Sequence, residues 1–192
     1  MEIRDRTPAY SSLVRITLGE EGVLSPTDRD RFQQAVITFY TRYGRPFPWR
    51  ETSDPYHILV SEIMLQQTQT SRVTEKFPQF IRMFPSFRAL ARSPLDKVVR
   101  EWQGLGYNRR AKAVHTISRI VTADFSGELP NDIGLLESFP MIGKATARSI
   151  AAFAFNEPVV FIETNIRCVF MYTFFENDSS RSEEHTSELQ SR

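Results

Sequence analysis

Cysteine is almost missing. The 192 residues contain one, Cys168, which is too few for an internal disulfide, a zinc cluster or an iron–sulfur cluster. An excess of one charge sign is missing too. Twenty-four Lys and Arg stand against 23 Asp and Glu, a net +1. That balance excludes a uniformly basic coat for nucleic acid and leaves room for a local patch. No apolar run reaches the ~18 residues a membrane-spanning helix needs, and no charged-then-apolar leader follows Met1. These absences predict a soluble, cytoplasmic protein. With 41% hydrophobic and 24% charged residues, neither wholesale disorder nor a collagen-like repeat fits. The length suits one domain, or two small lobes sharing a core.

The two ends differ from the middle. Residues 1–26 show no sustained helical stripe and are punctuated by Thr7-Pro8 and Ser25-Pro26, as expected of a loosely attached extension. In 181–192 only Leu189 is available to bury, so that segment cannot offset its ordering entropy. It is also similar to a translated sequencing-adapter sequence. We therefore read it as a non-native disordered tail, with the natural chain continuing differently, and exclude it from fold reasoning. The remaining body is mildly basic, with Arg100, Arg109, Arg110, Lys112 and Arg119 crowded into one stretch.

Between the ends the apolar period is helical. Thr27 and Asp28 are positioned to cap a helix through Phe32, Val36, Phe39, Tyr40 and Tyr43 that stops at Gly44. Pro46 and Pro48 impose an extended link. Asp54-Pro55 supplies an N-cap followed by proline at the first helical position, and the helix continues through Ile58, Leu59, Ile63 and Leu65. Val73, Phe77, Phe80, Ile81 and Phe84 mark another helix, containing Pro78. Ser93-Pro94 begins a helix with Val98, Val99, Trp102 and Leu105, broken by Gly104-Leu105-Gly106, and a helix from Tyr107 to about Ala123 follows. Asn131 starts a short helix. Beyond Pro140-Met141-Ile142-Gly143 comes one through Ala147, Ile150, Ala151 and Ala154, and Thr164 is placed to cap 165–174. The apolar 159–162 could form a strand but has no evident partner. The expectation is an all-α fold.

The run Phe139-Pro140-Met141-Ile142-Gly143-Lys144-Ala145-Thr146-Ala147 stops one helix at a proline and starts another after a turn containing glycine. Such a corner aims the unpaired N–H groups of the second helix outward, where they can hold a phosphate, with Lys144 adding charge. By itself it reads equally well as a plain corner.

Three further segments make the pattern specific: Pro48-Trp49-Arg50 with Asp54-Pro55-Tyr56; Ser61-Glu62-Ile63-Met64-Leu65-Gln66-Gln67-Thr68; and Trp102-Gln103-Gly104-Leu105-Gly106-Tyr107. With the hairpin and Glu163-Thr164-Asn165, the stretch from about 32 to 175 resembles the helix-hairpin-helix DNA glycosylase superfamily. Within it the resemblance is closest to the A/G-specific adenine glycosylases (MutY-like).

The resemblance implies roles residue by residue. Glu62 sits where the family keeps its catalytic acid, which protonates adenine N7 and needs partial burial to raise its pKa toward neutrality. The bland alternative is a buried partner of an arginine. Glu163 matches the second carboxylate, which stabilises an oxocarbenium-like transition state. The family usually has aspartate there, one methylene shorter; a helix-start acid is the other reading. Gln67 and Tyr107 match wedge residues that fill the space left by the flipped base, and Thr68 matches a contact to the opposite purine. Trp49 and Arg50 lie where the family packs adenine, with core burial the alternative for Trp49. Ile142, Gly143, Lys144 and Ala145 form the hairpin's DNA contact. Arg109, Arg110 and Lys112 are candidates for phosphate contacts, at least one of them being a solvated helix face.

Two departures stand out. Met141 replaces the hairpin's first glycine and cannot take a positive φ cheaply. Ala145 stands where strand-cutting relatives resembling endonuclease III carry a nucleophilic lysine; Lys144 is ~100° away around the helix. Water is therefore the expected nucleophile, without efficient strand cleavage. The family commonly carries a [4Fe–4S] cluster beyond the last matched helix; its cysteine ligands are absent from this chain, and Cys168 reads as a buried apolar residue.

The resemblance thus implies a two-lobed all-α glycosylase fold spanning 27–180. One lobe is helical (about 49–131). The other is partial, comprising 32–47 and 132–180 with the hairpin 139–147, and Glu62 and Glu163 face each other over an extruded base. The expected activity is hydrolysis of the N-glycosidic bond of adenine opposite 8-oxoguanine or guanine. The expected partner is double-stranded DNA carrying a mispair. No cofactor is expected in this chain and no membrane is involved. The protein is expected to be a monomer, cytoplasmic and nucleoid-associated when bound. The rival readings are a glycosylase for another lesion (T·G or an oxidised pyrimidine) and a catalytically inactive DNA-binding module.

Overall fold

The computed structural model describes residues 23–175. The expected tail 181–192 and most of the expected extension 1–26 lie outside the described residues. Among the described residues there is no strand, and none of the helices is long and apolar enough to cross a membrane. In chain order the helices are α1 (Pro26–Tyr43), α2 (Pro55–Leu65), α3 (Thr70–Met83), α4 (Phe87–Arg92), α5 (Leu95–Glu101), α6 (Arg109–Asp124), α7 (Ile133–Ser138), α8 (Lys144–Phe155) and α9 (Thr164–Phe175). A single 3₁₀ turn, Pro48–Arg50, precedes α2. The apolar 159–162 is irregular backbone with no strand partner.

The chain divides by contact into two compact units, 46–161 and the remainder. Within 46–161, α8 lies against α2 as well as α7.

In the unit 46–161, α2 sits at the centre, packed by α3, α6, α8 and the 3₁₀ turn. A helix enclosed on several sides cannot keep a single apolar stripe, and α2 buries Tyr56, Ile58, Leu59, Val60, Ser61, Ile63 and Met64. Its start is fixed by Asp54, whose carboxylate accepts from the amides of Tyr56 (2.8 Å) and His57 (3.4 Å), a cap worth about 1 kcal/mol. Tyr56 donates its hydroxyl to the Phe84 carbonyl just past α3 (2.5 Å), tying α2 to that helix. Pro78 lies inside α3 without ending it. The short α4, which no sequence pattern announced, is capped by Ser86 and packs on α6. There His115 of α6 pairs with the Ser93 carbonyl (2.9 Å).

The other unit contributes α1 and α9. Ser25 caps α1, its hydroxyl accepting from the Asp28 amide (3.1 Å), with Pro26 at the first position. The helix therefore begins earlier than the Thr27/Asp28 cap expected from the sequence. Phe32 packs against Phe170 (5.9 Å) and Phe174 (5.1 Å). Thr164 is the first residue of α9 rather than its cap. Cys168 is exposed, contrary to the expectation of a buried apolar residue, because no residue of α9 is fully buried.

Candidate active site

Glu62 lies in the last turn of α2, half-buried between fully buried Ser61 and Ile63. It is the single carboxylate of this helix. Directly after α2 the chain turns at Gln66 and Gln67; Gln67 is exposed with φ 53°, while Thr68 is half-buried. The Thr68 hydroxyl is 3.2 Å from the Leu105 carbonyl and 3.3 Å from that of Gln66. Its capacity is thus engaged within the chain.

The Gly104-Leu105-Gly106-Tyr107 turn needs its glycines: Gly104 and Gly106 have φ of 94° and 76°, the region glycine enters without steric cost, and Tyr107 follows at 48°. Leu105 is buried as the anchor, and Tyr107 is 55% exposed, so it is no core tyrosine. Arg109, also exposed, stands 5.7 Å from the Tyr107 ring centroid.

Arg110 behaves differently from its neighbours. It is 2% exposed, and its guanidinium is held by carbonyls of the α2 end and of the turn before Tyr107. It is therefore not a surface phosphate contact. Burial lowers its pKa from the ordinary value; Tyr107 acts in the opposite sense and Arg109 reinforces the fall. An arginine remains a cation at neutral pH regardless. Helical phase carried the signal: Arg110 falls in register with Val114, Ile117 and Val121, the stripe of α6, whereas Arg109 and Lys112 face solvent.

The hairpin joins α7 to α8. Asp132 caps α7 through the Leu135 amide (2.8 Å), and Arg148 reaches Glu137 across the corner (3.6 Å). Met141 takes φ 66°, so the turn keeps the left-handed conformation and Met141 carries its strain. The Ile142 side chain is buried, and its amide donates to the Phe139 carbonyl (3.2 Å). Gly143 caps α8 with no side-chain bond, leaving the first amides of the helix without internal partners. Its backbone is unstrained and an added Cβ would meet nothing within 4 Å. Gly143, Lys144 and Ala145 are all exposed. The Gln66 side-chain amide donates to the Met141 carbonyl (3.0 Å), bringing the Gln67 loop next to the hairpin.

Trp49 is buried, stacked on Phe47 (4.8 Å, 7°) and edge-on to Phe77 (5.9 Å). Arg50 is exposed, 5.1 Å from the Phe47 ring. Glu163 belongs to the other unit. It is exposed, immediately precedes α9, and its carbonyl accepts from the Arg167 amide (2.8 Å).

A four-cysteine cluster needs four thiolates. The sequence has one, and among the described residues no three His, Cys, Asp or Glu converge as a metal site. The residues present do not fit such a cluster.

Comparison with known proteins accords with this geometry. Residues 60–192 match the profile of the HhH-GPD superfamily base excision DNA repair proteins. An adenine DNA glycosylase of Mycobacterium tuberculosis is 40% identical over 135 residues, covering 70% of this chain and 44% of the relative. One from Buchnera aphidicola subsp. Baizongia pistaciae is 38% identical over 141 residues, covering 73% and 40%. The structure of a thermostable thymine-DNA glycosylase superposes with a TM-score of 0.69 at 28% identity, covering 74% of this chain and 66% of that one. The match thus spans less than half the length of the two adenine glycosylases. From the matched profile, the relatives and the shared helical fold, the chain belongs to the HhH-GPD superfamily of base excision DNA repair proteins.

Proposed function

We propose that this chain carries the catalytic machinery of a monofunctional DNA glycosylase that hydrolyses the N-glycosidic bond of adenine mispaired with 8-oxoguanine or guanine. The observation that carries this reading is the position of Glu62. It is half-buried at the end of the central helix, whose one carboxylate it is, one turn from the loop that exposes Gln67. The relatives named adenine DNA glycosylases support the choice of base.

In this reading Glu62 donates a proton to N7 of the adenine. The C1′–N9 bond then breaks with its electrons leaving on the base, and water adds to C1′ to give an abasic sugar. Glu163 supplies the second carboxylate that stabilises the positive sugar. Gln67 and Tyr107 enter the duplex, and Arg50 lines the adenine's place. Thr68 faces the opposite purine.

The amides of Gly143, Lys144 and Ala145 with the Ile142 backbone hold a phosphate, assisted by Arg109. Gly143 supports that assignment. The fold itself gives no steric reason for glycine there, whereas a phosphate approaching the backbone does. With Ala145 in place of a lysine, no Schiff base forms and the strand stays intact.

The test is a panel of duplexes carrying A·8-oxoG, A·G, T·G and an oxidised pyrimidine, each incubated with stoichiometric protein. Hot alkali should break the adenine strand of the first two, and omitting alkali should leave it whole. An adenine strand surviving alkali overturns the reading. Cleavage confined to T·G would establish the rival favoured by the likeness to a thymine-DNA glycosylase structure.

A further inference from the structure

Five described non-glycine residues of the unit 46–161 lie in the left-handed region; Ser126 and Asn156 follow helix ends, and the other three, Gln67 (φ 53°), Tyr107 (φ 48°) and Met141 (φ 66°), stand in three loops. Such conformations persist only where the surroundings over-determine them. Here the surroundings are one hydrogen-bonded network. Nη1 of buried Arg110 donates to the carbonyls of Ile63 (3.1 Å) and Met64 (3.0 Å) at the end of α2, and to that of Gln66. Nη2 donates to the carbonyls of Leu105 (2.6 Å) and Gly106 (3.1 Å) and to the Thr68 hydroxyl (2.9 Å). From the far side, the Gln66 side chain holds the Met141 carbonyl (3.0 Å).

The groups gripped by Arg110 therefore flank Gln67 on both sides and immediately precede Tyr107. They fix the peptide planes that aim both side chains. Its charge also suits the carbonyl end of α2, where the helix dipole is negative. A planar fork serves the carbonyls of one loop from each of its two terminal nitrogens; the three donors of a lysine radiate from a single point and do not reproduce that division.

We propose that Arg110 is a positioning residue that locks Gln67 and Tyr107 into a single rigid wedge, and that Gln66 registers this wedge against the hairpin. This rests on the glycosylase reading for what the wedge does, but the lock itself is a property of the chain.

The test uses the full chain with Arg110→Lys and, independently, Gln66→Leu, each checked for folding by circular dichroism and melting temperature. Amide hydrogen exchange reads the lock without DNA. In Arg110→Lys, exchange at Gln67, Thr68 and Tyr107 should rise together, about tenfold, while α4 and α7 are unchanged. 2-Aminopurine fluorescence, with the probe paired to 8-oxoguanine, reads insertion and flipping. The enhancement should fall about tenfold while binding to undamaged duplex stays within about twofold.

Gln66→Leu should loosen Met141 and leave Gln67 and Tyr107 protected together, because it removes only the bond to the hairpin; this keeps the proposal open to refutation if Arg110→Lys does not fold. Unchanged exchange in folded Arg110→Lys, independent opening of the two loops, or an undiminished 2-aminopurine signal would overturn the proposal. Coupled exchange with no flipping signal even in the unmodified chain would overturn the glycosylase reading and leave the lock standing.

Discussion

Tyr56 holds the helix that carries Glu62. Its phenol is buried and donates to the Phe84 carbonyl, and burial, with the Asp54 charge second, raises its pKa well above the ordinary tyrosine value. The folded state therefore keeps this proton to higher pH than the unfolded chain does. The associated stability is fully present below the unfolded pKa of ~10 and is lost as pH rises beyond it. Tyr56→Phe should cost about 1 kcal/mol at neutral pH and make the loss of stability above pH ~10 less steep; urea denaturation at both pH values checks this. At this scale the exposure of Tyr107 was legible in a local string, since it follows from the glycines before it. It did not reveal Arg110, because an arginine beside Arg109 and Lys112 looks like part of a basic face until its phase with the α6 stripe is counted. Trp49 was left open by the sequence and lies in the core, since a tryptophan after two prolines has no periodicity to assign its side.

The hairpin tests the account at the level of elements. Met141 stands in a left-handed conformation that costs an L-residue ~1–2 kcal/mol. Part of that is returned by the greater unfolded-state freedom of glycine, so Met141→Gly should stabilise the chain by about 0.5 kcal/mol, read from the denaturation midpoint. Lys144→Gln, at the exposed first turn of α8, should weaken binding equally for matched and mismatched duplexes and reduce the salt slope by about 1. The start of α2 was legible in Asp54-Pro55, a capping carboxylate followed by proline. The start of α1 was set by Ser25 and Pro26, which a reading based on apolar period placed in the preceding extension. The six-residue α4 escaped because it is too short to display a period; packing on α6 stabilises it.

For the molecule as a whole, a net charge of +1 gives little general attraction to DNA, so binding must rest on a few local cations. Counting Arg50, Arg109, Lys112 and Lys144, all exposed, the slope of log K against log salt should be about −3.6; fluorescence anisotropy across a salt series measures it. Phe170 and Phe174 close over Phe32 and are half-buried, whereas Phe175 is exposed. Apolar surface lies also on α1, at Val36, Ile37, Phe39, Tyr40 and Tyr43. The all-α class was legible throughout, since helical period and proline stops repeat along the body. The grouping of α8 with α2 was not, because a contact between residues so far apart in sequence leaves no local trace. In the proposed mechanism Glu62 delivers the proton, and single-turnover excision from an A·8-oxoG duplex by the unmodified chain and by Glu62→Gln, with duplex affinity measured alongside, decides whether it does. A ~10³-fold fall in the excision rate with affinity within about twofold is the predicted result; excision by Glu62→Gln at the unmodified rate would contradict it.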